Sequence, residues 1–301
     1  DLAVQDSVGG MARRLLDPAH LRDLARRSAA TLREQGAEQL WRDVTFRVGL
    51  AFHHDDWRHR ADLPLRRTLK AQRAAALQGP CISVVVPVYN TPLPFFKQMV
   101  QSVRRQTYAN WQLVLVDASD EAHGEVSRRA RQYAARDSRI LCRKVENRGI
   151  AANTTEGFAA ASGDYLALLD HDDVLYPNAL FECVQVIQKS GADFVYSDEI
   201  VLSADLKKLG GYHFKPDFAP DYLRGVNFIT HLAVFSRALL DRAGAYESSE
   251  YDGAQDHDLF LRLTEKAQKI EHIKQVLYIW RGHAGSTAAG MEAKPYAVAA
   301  G

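Results

Sequence analysis

From Cys81 to Tyr196 the chain alternates short apolar runs with longer amphipathic ones, and this alternation narrows the fold more than any other feature. Cys81–Val86, Gln112–Val116, Ile140–Val145, Asp164–Leu169 and Asp193–Tyr196 have the length and apolar character of buried strands. Between them, Phe96, Met99, Val100 and Val103 mark one helix, Glu121–Arg136 a polar one and Ile150–Ala161 a third. Asn178–Lys189, with Leu180, Val184 and Ile187 on one face, is a fourth. A strand that returns through a helix to the same sheet runs parallel to the strand before it. The expectation is therefore an α/β protein, Rossmann-like, with a mostly parallel sheet and helices on both faces. Pro87 is read as closing the first strand.

After Tyr196 the rhythm breaks. Residues 200–225 read as a long insertion over the sheet edge. His231–Phe235 reads as a strand and Arg237–Arg242 as a short helix. A further helix carries Leu259, Leu263 and Ala267 on one face, and Val276–Trp280 forms a last strand ahead of Arg281-Gly282-His283.

Two strands end in acid. Gln112–Val116 runs into Asp117, and Tyr165–Leu169 runs into Asp170-His171-Asp172-Asp173. Three carboxylates within four residues repel one another. A hard divalent cation with oxygen ligands relieves that repulsion. Asp in the first turn of a helix is the plainer alternative, since it complements the helix dipole. In a doubly wound sheet both acidic ends lie on one rim, where such folds bind ligands. The glycine fingerprint GxGxxG and the phosphate loop GxxxxGK[ST] are both missing, as are GxSxG, HExxH and CxxC. A nucleotide held here needs another grip, and a metal on its diphosphate supplies one.

Residues 1–79 stand apart, with fourteen Lys or Arg against ten Asp or Glu. Asp17-Pro18 starts a helix whose inner face is Leu21, Leu24, Ala25, Ser28 and Leu32, and Gly36 can end it. Trp41, Val44 and Val48 mark a second helix and Arg66–Leu77 a third. The segment reads as a helical extension packed on the main domain, or as one that docks on a membrane surface or a partner. His53-His54-Asp55-Asp56 with His59 is a weak metal candidate. The composition changes at Gly79-Pro80, so the division expected is an extension at 1–79 and a catalytic domain at 80–301. A net charge of +1 gives no reason to expect nucleic acid as a partner. Three scattered cysteines, no apolar run of spanning length and no visible signal peptide lead to the expectation of a cytoplasmic chain. The start at Asp1 reads as a piece of a longer protein.

The order Val84–Asn90, Ser102-Val103 with Gln106-Thr107-Tyr108, Leu115-Val116-Asp117, Asn147–Ile150 with Asn153, and Leu169–Asp173 resembles the family-two glycosyltransferases of the A-type fold. Tyr196–Glu199, Lys215–Phe218, Gln255–Leu259 and Tyr278–Arg281 agree with it. The similarity is greatest to bacterial enzymes that build surface polysaccharides such as O-antigen and lipopolysaccharide. The resemblance implies an inverting, metal-dependent hexosyl transfer. The donor is a nucleotide sugar, UDP- or dTDP-linked by preference, and the acceptor a glycan, in many cases lipid-linked, at the inner face of the cell membrane. It implies Pro87, Tyr89, Asp117, Arg148 and Asp170 as donor-binding residues, and Asp170, Asp172, Asp173 and His283 as ligands to Mn²⁺ or Mg²⁺. Asp256 matches the catalytic base. Where many relatives carry a second acid after Asp117, this chain has Ala118, with Asp120 two residues on. The competing expectation is a glycan- or nucleotide-binding domain that has lost catalysis and scaffolds an assembly complex.

Overall fold

The computed structural model describes residues 18–34, 36–41, 44, 63–246 and 252–283. The described residues fall into two compact units that divide between Thr68 and Leu69. In the first, α1 (Pro18–Glu34) ends at Gly36, whose φ of +87° lets its N–H turn back to the Thr31 carbonyl at 3.1 Å. The Glu38 carboxylate accepts from the Arg66 N–H at 3.0 Å, at the start of α2 (Arg66–Ala75). The histidine-acid cluster at 53–59 and Val48 lie outside the described residues.

The second unit is built on one curled sheet. Its strands are β1 (Ile82–Val88), β2 (Trp111–Asp117), β3 (Ile140–Lys144), β4 (Tyr165–Leu168) and β5 (Val174–Leu175), then β6 (Phe194–Ser203), β7 (Leu209–His213), β8 (Ala233–Ser236) and β9 (Ile270–Gly282). They lie in the order β3-β2-β1-β4-β8-β6-β9-β5, with β7 on β6. β1 runs parallel to β2 and β4, β2 to β3 and β6 to β9, while β8 sits antiparallel between β4 and β6. The helices are α3 (Leu93–Arg104), α4 (Gly124–Ala134), α5 (Ile150–Ala160), α6 (Ala179–Ser190), α7 (Pro220–Gly225), α8 (Arg237–Ala243) and α9 (Gln255–Lys266).

The two faces of β1 show why both sides of the sheet are covered. Side chains alternate across a strand, and every residue of β1 is buried. Val84, Val86 and Val88 enter one apolar cluster with Met99 of α3 and Leu180 of α6. Val85 enters the other with Phe158 of α5 and Phe260 of α9. Such a run has no wet face, which is how it reads in the sequence.

Two differences from the sequence reading bear on the site. β1 continues through Pro87 to Val88 instead of stopping. Pairing with β4 has already ended at Val85↔Leu168, so the absent proline N–H falls where the ladder has no partner to offer. β6 runs on to Ser203, across the start of the expected insertion, because β9 pairs with it from Phe194↔Ile270 to Ser203↔Gly282. Asp198 and Glu199 interrupt the apolar run in the sequence, yet both are buried and hydrogen-bonded in the fold.

Candidate functional site

The chain leaves β1 toward β2 and β3 on one side and then crosses to β4 on the other, so strand order reverses at the β1–β4 boundary. The crevice beyond the carboxyl ends of the strands there is the usual ligand site of such sheets. A cleft opens at that point, with Pro87, Asp170, His231 and Asp256 in its lining. Residues far apart in sequence meet because each stands at the end of an element that terminates on this rim.

On the β2 side, Asp117 is almost fully buried. Its Oδ1 accepts from the Ser119 N–H at 3.0 Å, and Lys144 Nζ approaches Oδ2 at 3.6 Å. Tyr89 is exposed, and its hydroxyl donates to Asp120 Oδ2 at 3.2 Å. Asn90 Nδ2 reaches the same oxygen at 2.7 Å, and this bond is the main reason the Asp120 carboxyl lies below the usual aspartate range. Asp120 thus stands against Tyr89 where Ala118 offers no polar group. Arg148 pairs with Glu156 at 2.8 Å on the flank of α5. The turn before α5 is tight. Gly149 has φ +92°, and a Cβ on it would lie 2.0 Å from Asp252 Oδ2. Asp252 Oδ1 accepts from the Ala151 N–H at 3.0 Å and so caps the helix start.

On the β4 side the acidic cluster divides. Asp173 is buried, with Oδ2 accepting from the Tyr278 hydroxyl and Oδ1 from the Arg281 N–H, both at 2.7 Å. Burial, followed by the nearby charges of Asp172 and Asp170, pushes its carboxyl well above the usual range. Asp172 meets His283, whose Nε2 lies 2.7 Å from Oδ2. Fully buried Arg281 donates through Nε to the Asp172 carbonyl at 2.5 Å and through Nη1 to the Ala204 carbonyl at 2.5 Å. Its guanidinium stacks 4.3 Å over the Phe95 ring, so β9 and α3 hold the acidic loop between them. Asp170 faces His231, with Nε2 at 3.6 Å from Oδ2. Among the described residues, Asp170, Asp173 and His231 bring three ligand atoms within 4.8 Å of one another. Carboxylate oxygens and one imidazole, set among mutually repelling charges, suit a divalent cation of the first-row or alkaline-earth kind.

Asp256 sits in the first turn of α9. Its Oδ2 accepts from Asn227 Nδ2 at 3.0 Å and its Oδ1 from the His257 N–H at 2.9 Å. Burial raises its carboxyl; the His231 charge opposes that rise and the Asp170 charge adds to it. Gln255 beside it accepts from the Gly253 N–H at 2.6 Å, which fixes the turn that presents Asp256.

Two residues carry weight here to which the linear reading assigns no role. His231 precedes β8 by two positions, with no motif around it. Glu199 is fully buried inside β6 and holds His231 through Nδ1 at 3.2 Å and through its backbone N–H at 3.1 Å. Glu199 also accepts from Thr230 Oγ1 at 3.0 Å, faces His213 Nδ1 at 2.8 Å and pairs with Lys215 at 3.4 Å. Burial would raise the Glu199 carboxyl, but those histidine contacts and the lysine charge outweigh it and hold the group well below the ordinary range. The signals available for Glu199 were a charged pair next to an apolar strand and its place in the Tyr196–Glu199 match.

A Rossmann-like sheet whose β2 and β4 end in acids around a switch-point cleft has the frame of a doubly wound ligand-binding domain. The family profile described as "Glycosyl transferase family 2" matches residues 83–243, and the chain belongs to that family. Among curated relatives, the uncharacterized protein y4gI of Sinorhizobium fredii is 44% identical over 227 residues, covering 74% of this chain and 25% of its own length. The O-antigen biosynthesis protein RfbC of Myxococcus xanthus is 38% identical over 232 residues, covering 75% of this chain and 18% of its own. The chain thus spans a quarter or less of either relative. Among solved structures, S. aureus TarS 1-349 in complex with UDP-GlcNAc superposes with a TM-score of 0.56 at 16% identity, covering 69% of this chain and 60% of that one. The mannosyltransferase PcManGT from Pyrobaculum calidifontis, in complex with GDP-Man and Mn²⁺, gives 0.50 at 19% identity, covering 71% and 67%. These likenesses establish the A-type glycosyltransferase fold.

Proposed function

We propose that this family-two domain transfers a hexosyl group, with inversion, from a nucleoside-diphosphate sugar to a hydroxyl of a growing surface polysaccharide. The observation that carries the reading is that Asp170 and Asp256, from distant parts of the chain, line one cleft at the switch point. Asp256 takes the proton of the attacking hydroxyl, and its raised carboxyl makes it a better proton acceptor than an ordinary aspartate. Pro87, in the lining of the cleft, is assigned to the nucleoside together with Tyr89 and Asp117, with Asp120 supporting Tyr89. Arg148, on the loop before α5, is assigned to the donor as well. Asp170, Asp172 and Asp173 are assigned to Mn²⁺ or Mg²⁺, with His283, the histidine the resemblance implied as a ligand, held against Asp172. A divalent cation bound there supplies positive charge to the departing diphosphate. A single base and a single displacement invert the anomeric carbon, by analogy with the two-carboxylate logic of glycosidases.

UDP- or dTDP-sugars are the proposed donors and a lipid-linked glycan at the inner face of the membrane the proposed acceptor. Among the described residues no helix is long and apolar enough to cross a membrane. Residues 1–79 are assigned to docking, on that surface or on other domains of a longer chain; Leu32 and Trp41 are exposed apolar side chains there.

The test is Asp256→Asn with product analysis and donor binding measured side by side. Transfer falls roughly 10²–10⁴-fold, the usual worth of a general base, while donor affinity holds. An Asp256→Asn enzyme that transfers at the wild-type rate removes the assignment. A thermal-shift panel of UDP, dTDP, GDP and CMP with Mn²⁺ identifies the nucleotide, since a bound ligand raises the melting temperature.

A further inference from the structure

Resting on the reading that a divalent cation binds at the end of β4, we infer that His231 supplies a nitrogen ligand to it, and that Glu199 is the positioning residue that turns His231 there. The resemblance pointed to His283 for a histidine near this site; the geometry favours the other one.

His231 is held on every side. Its ring stacks 4.6 Å from Tyr278 at 12° and lies 5.6 Å from Trp280. The Tyr278 hydroxyl donates to Asp173, so the platform beneath His231 also anchors a carboxylate of the cluster. Nδ1 faces Glu199 Oε2 at 3.2 Å. An ionised carboxylate only accepts hydrogen bonds, so Nδ1 carries the proton toward it. Nε2 faces Asp170, and its lone pair becomes the ligand when a cation displaces the Nε2 proton. A carboxylate that accepts from one imidazole nitrogen while the other binds metal is the recurrent arrangement at metal-ligating histidines.

The spacing fits an ion better than a direct bond. Nε2 and Asp170 Oδ2 are 3.6 Å apart, beyond a good hydrogen bond. Ligand atoms about 2.1 Å from a six-coordinate ion lie about 3 Å apart when adjacent and about 4 Å when opposite. The span of Asp170, Asp173 and His231, within 4.8 Å, is of that size. His283 is not in that group; its Nε2 is engaged with Asp172 at 2.7 Å and its ring lies 5.5 Å from Phe95.

Glu199 is itself immobilised. Thr230 Oγ1 donates to it at 3.0 Å, His213 faces it, and Lys215 Nζ pairs with it while donating to the Ile229 carbonyl at 2.5 Å and to the His231 carbonyl. That effort fixes one imidazole and the backbone that carries it. A nitrogen in the set also shifts preference toward Mn²⁺, because Mg²⁺ favours oxygen.

The experiment is Mn²⁺ binding to the full chain, without nucleotide, followed by EPR of the free ion and by pulsed EPR for ¹⁴N coupling. Wild-type protein shows ¹⁴N coupling. His231→Ala loses it, binds Mn²⁺ at least tenfold more weakly, and narrows the Mn²⁺ over Mg²⁺ preference. Glu199→Gln keeps the coupling and binds roughly 10–100-fold more weakly, as a positioning residue should. His283→Ala keeps the coupling. The inference is overturned if His231→Ala retains wild-type coupling and affinity, or if His283→Ala is the variant that loses the coupling. Asp170→Asn separates the two levels. If it abolishes binding while His231→Ala does not, only the ligand assignment falls. If the wild-type chain binds no Mn²⁺, the cation reading and this inference fall together.

Discussion

Asp256, the proposed base, shows how a carboxylate in a cleft and a stable fold pull against each other. Burial raises its carboxyl, aided by Asp170 and opposed by His231, so the ionised form is disfavoured in the folded chain. A raised folded value means that this group's favourable contribution is present below the unfolded value, about 3.9, and is lost as pH rises through the folded value. Near neutrality the charge is therefore a cost. Asp256→Asn, tested without metal, melts higher than wild type at pH 7, and the difference closes as pH falls toward 4. A melting curve series across that range reads it directly; no gain at pH 7 contradicts it. Glu199 is the reverse case, a buried carboxylate whose partners hold it ionised. Glu199→Ala leaves Lys215 buried with its partner gone and costs roughly 3–5 kcal/mol. Adding Lys215→Met recovers much of that loss in a double-mutant cycle.

The element that ties the site together is α5. Asp252 caps its first turn, and the loop that carries Asp252 leads into α9 and Asp256. Its last turn is closed by Arg237, which donates to the Phe158, Ala161 and Gly163 carbonyls. Its middle lies flat on the sheet because Gly157 has no side chain; a Cβ there would come 2.3 Å from Val85 Cγ1. Gly157→Ala pushes the helix off β1 and costs roughly 1–3 kcal/mol, since overpacking a dense core forces the backbone to shift. Urea unfolding tests this, with a lower midpoint and an unchanged slope. A mutant as stable as wild type means the contact relaxes cheaply.

At the scale of the molecule, the compact unit that begins at Leu69 takes in the second half of α2. Gln72 is buried, accepts from Thr107 Oγ1 at 2.9 Å and donates to Glu182 Oε1 at 2.9 Å. Thr107 in turn sits on the Pro177 carbonyl through its N–H at 2.8 Å. A chain starting at residue 80 strips those partners away, whereas one starting at 69 keeps them. The longer form is expected to be more stable by roughly 1–3 kcal/mol, the penalty for leaving a buried polar group unpaired. Equal stabilities in chemical denaturation refute this and favour Gly79-Pro80 as the boundary.

The α/β class, the acidic ends of β2 and β4, and the family were legible in the letters, because they rest on local periodicity and on residue types held at short spacing. Asp170 to Asp173 are neighbours in the chain, so their crowding needs no fold to be noticed. What periodicity does not encode is who stands opposite. The extension of β6 depended on β9, nearly eighty residues later, supplying its ladder. The role proposed for His231 rests on a buried glutamate in β6 and a tyrosine in β9 converging on one side chain. Sequence determined which groups are present and on which elements they ride. Only the closed sheet decided which of them share a cleft, because bringing distant residues within bonding distance is the part of folding that only long-range packing performs.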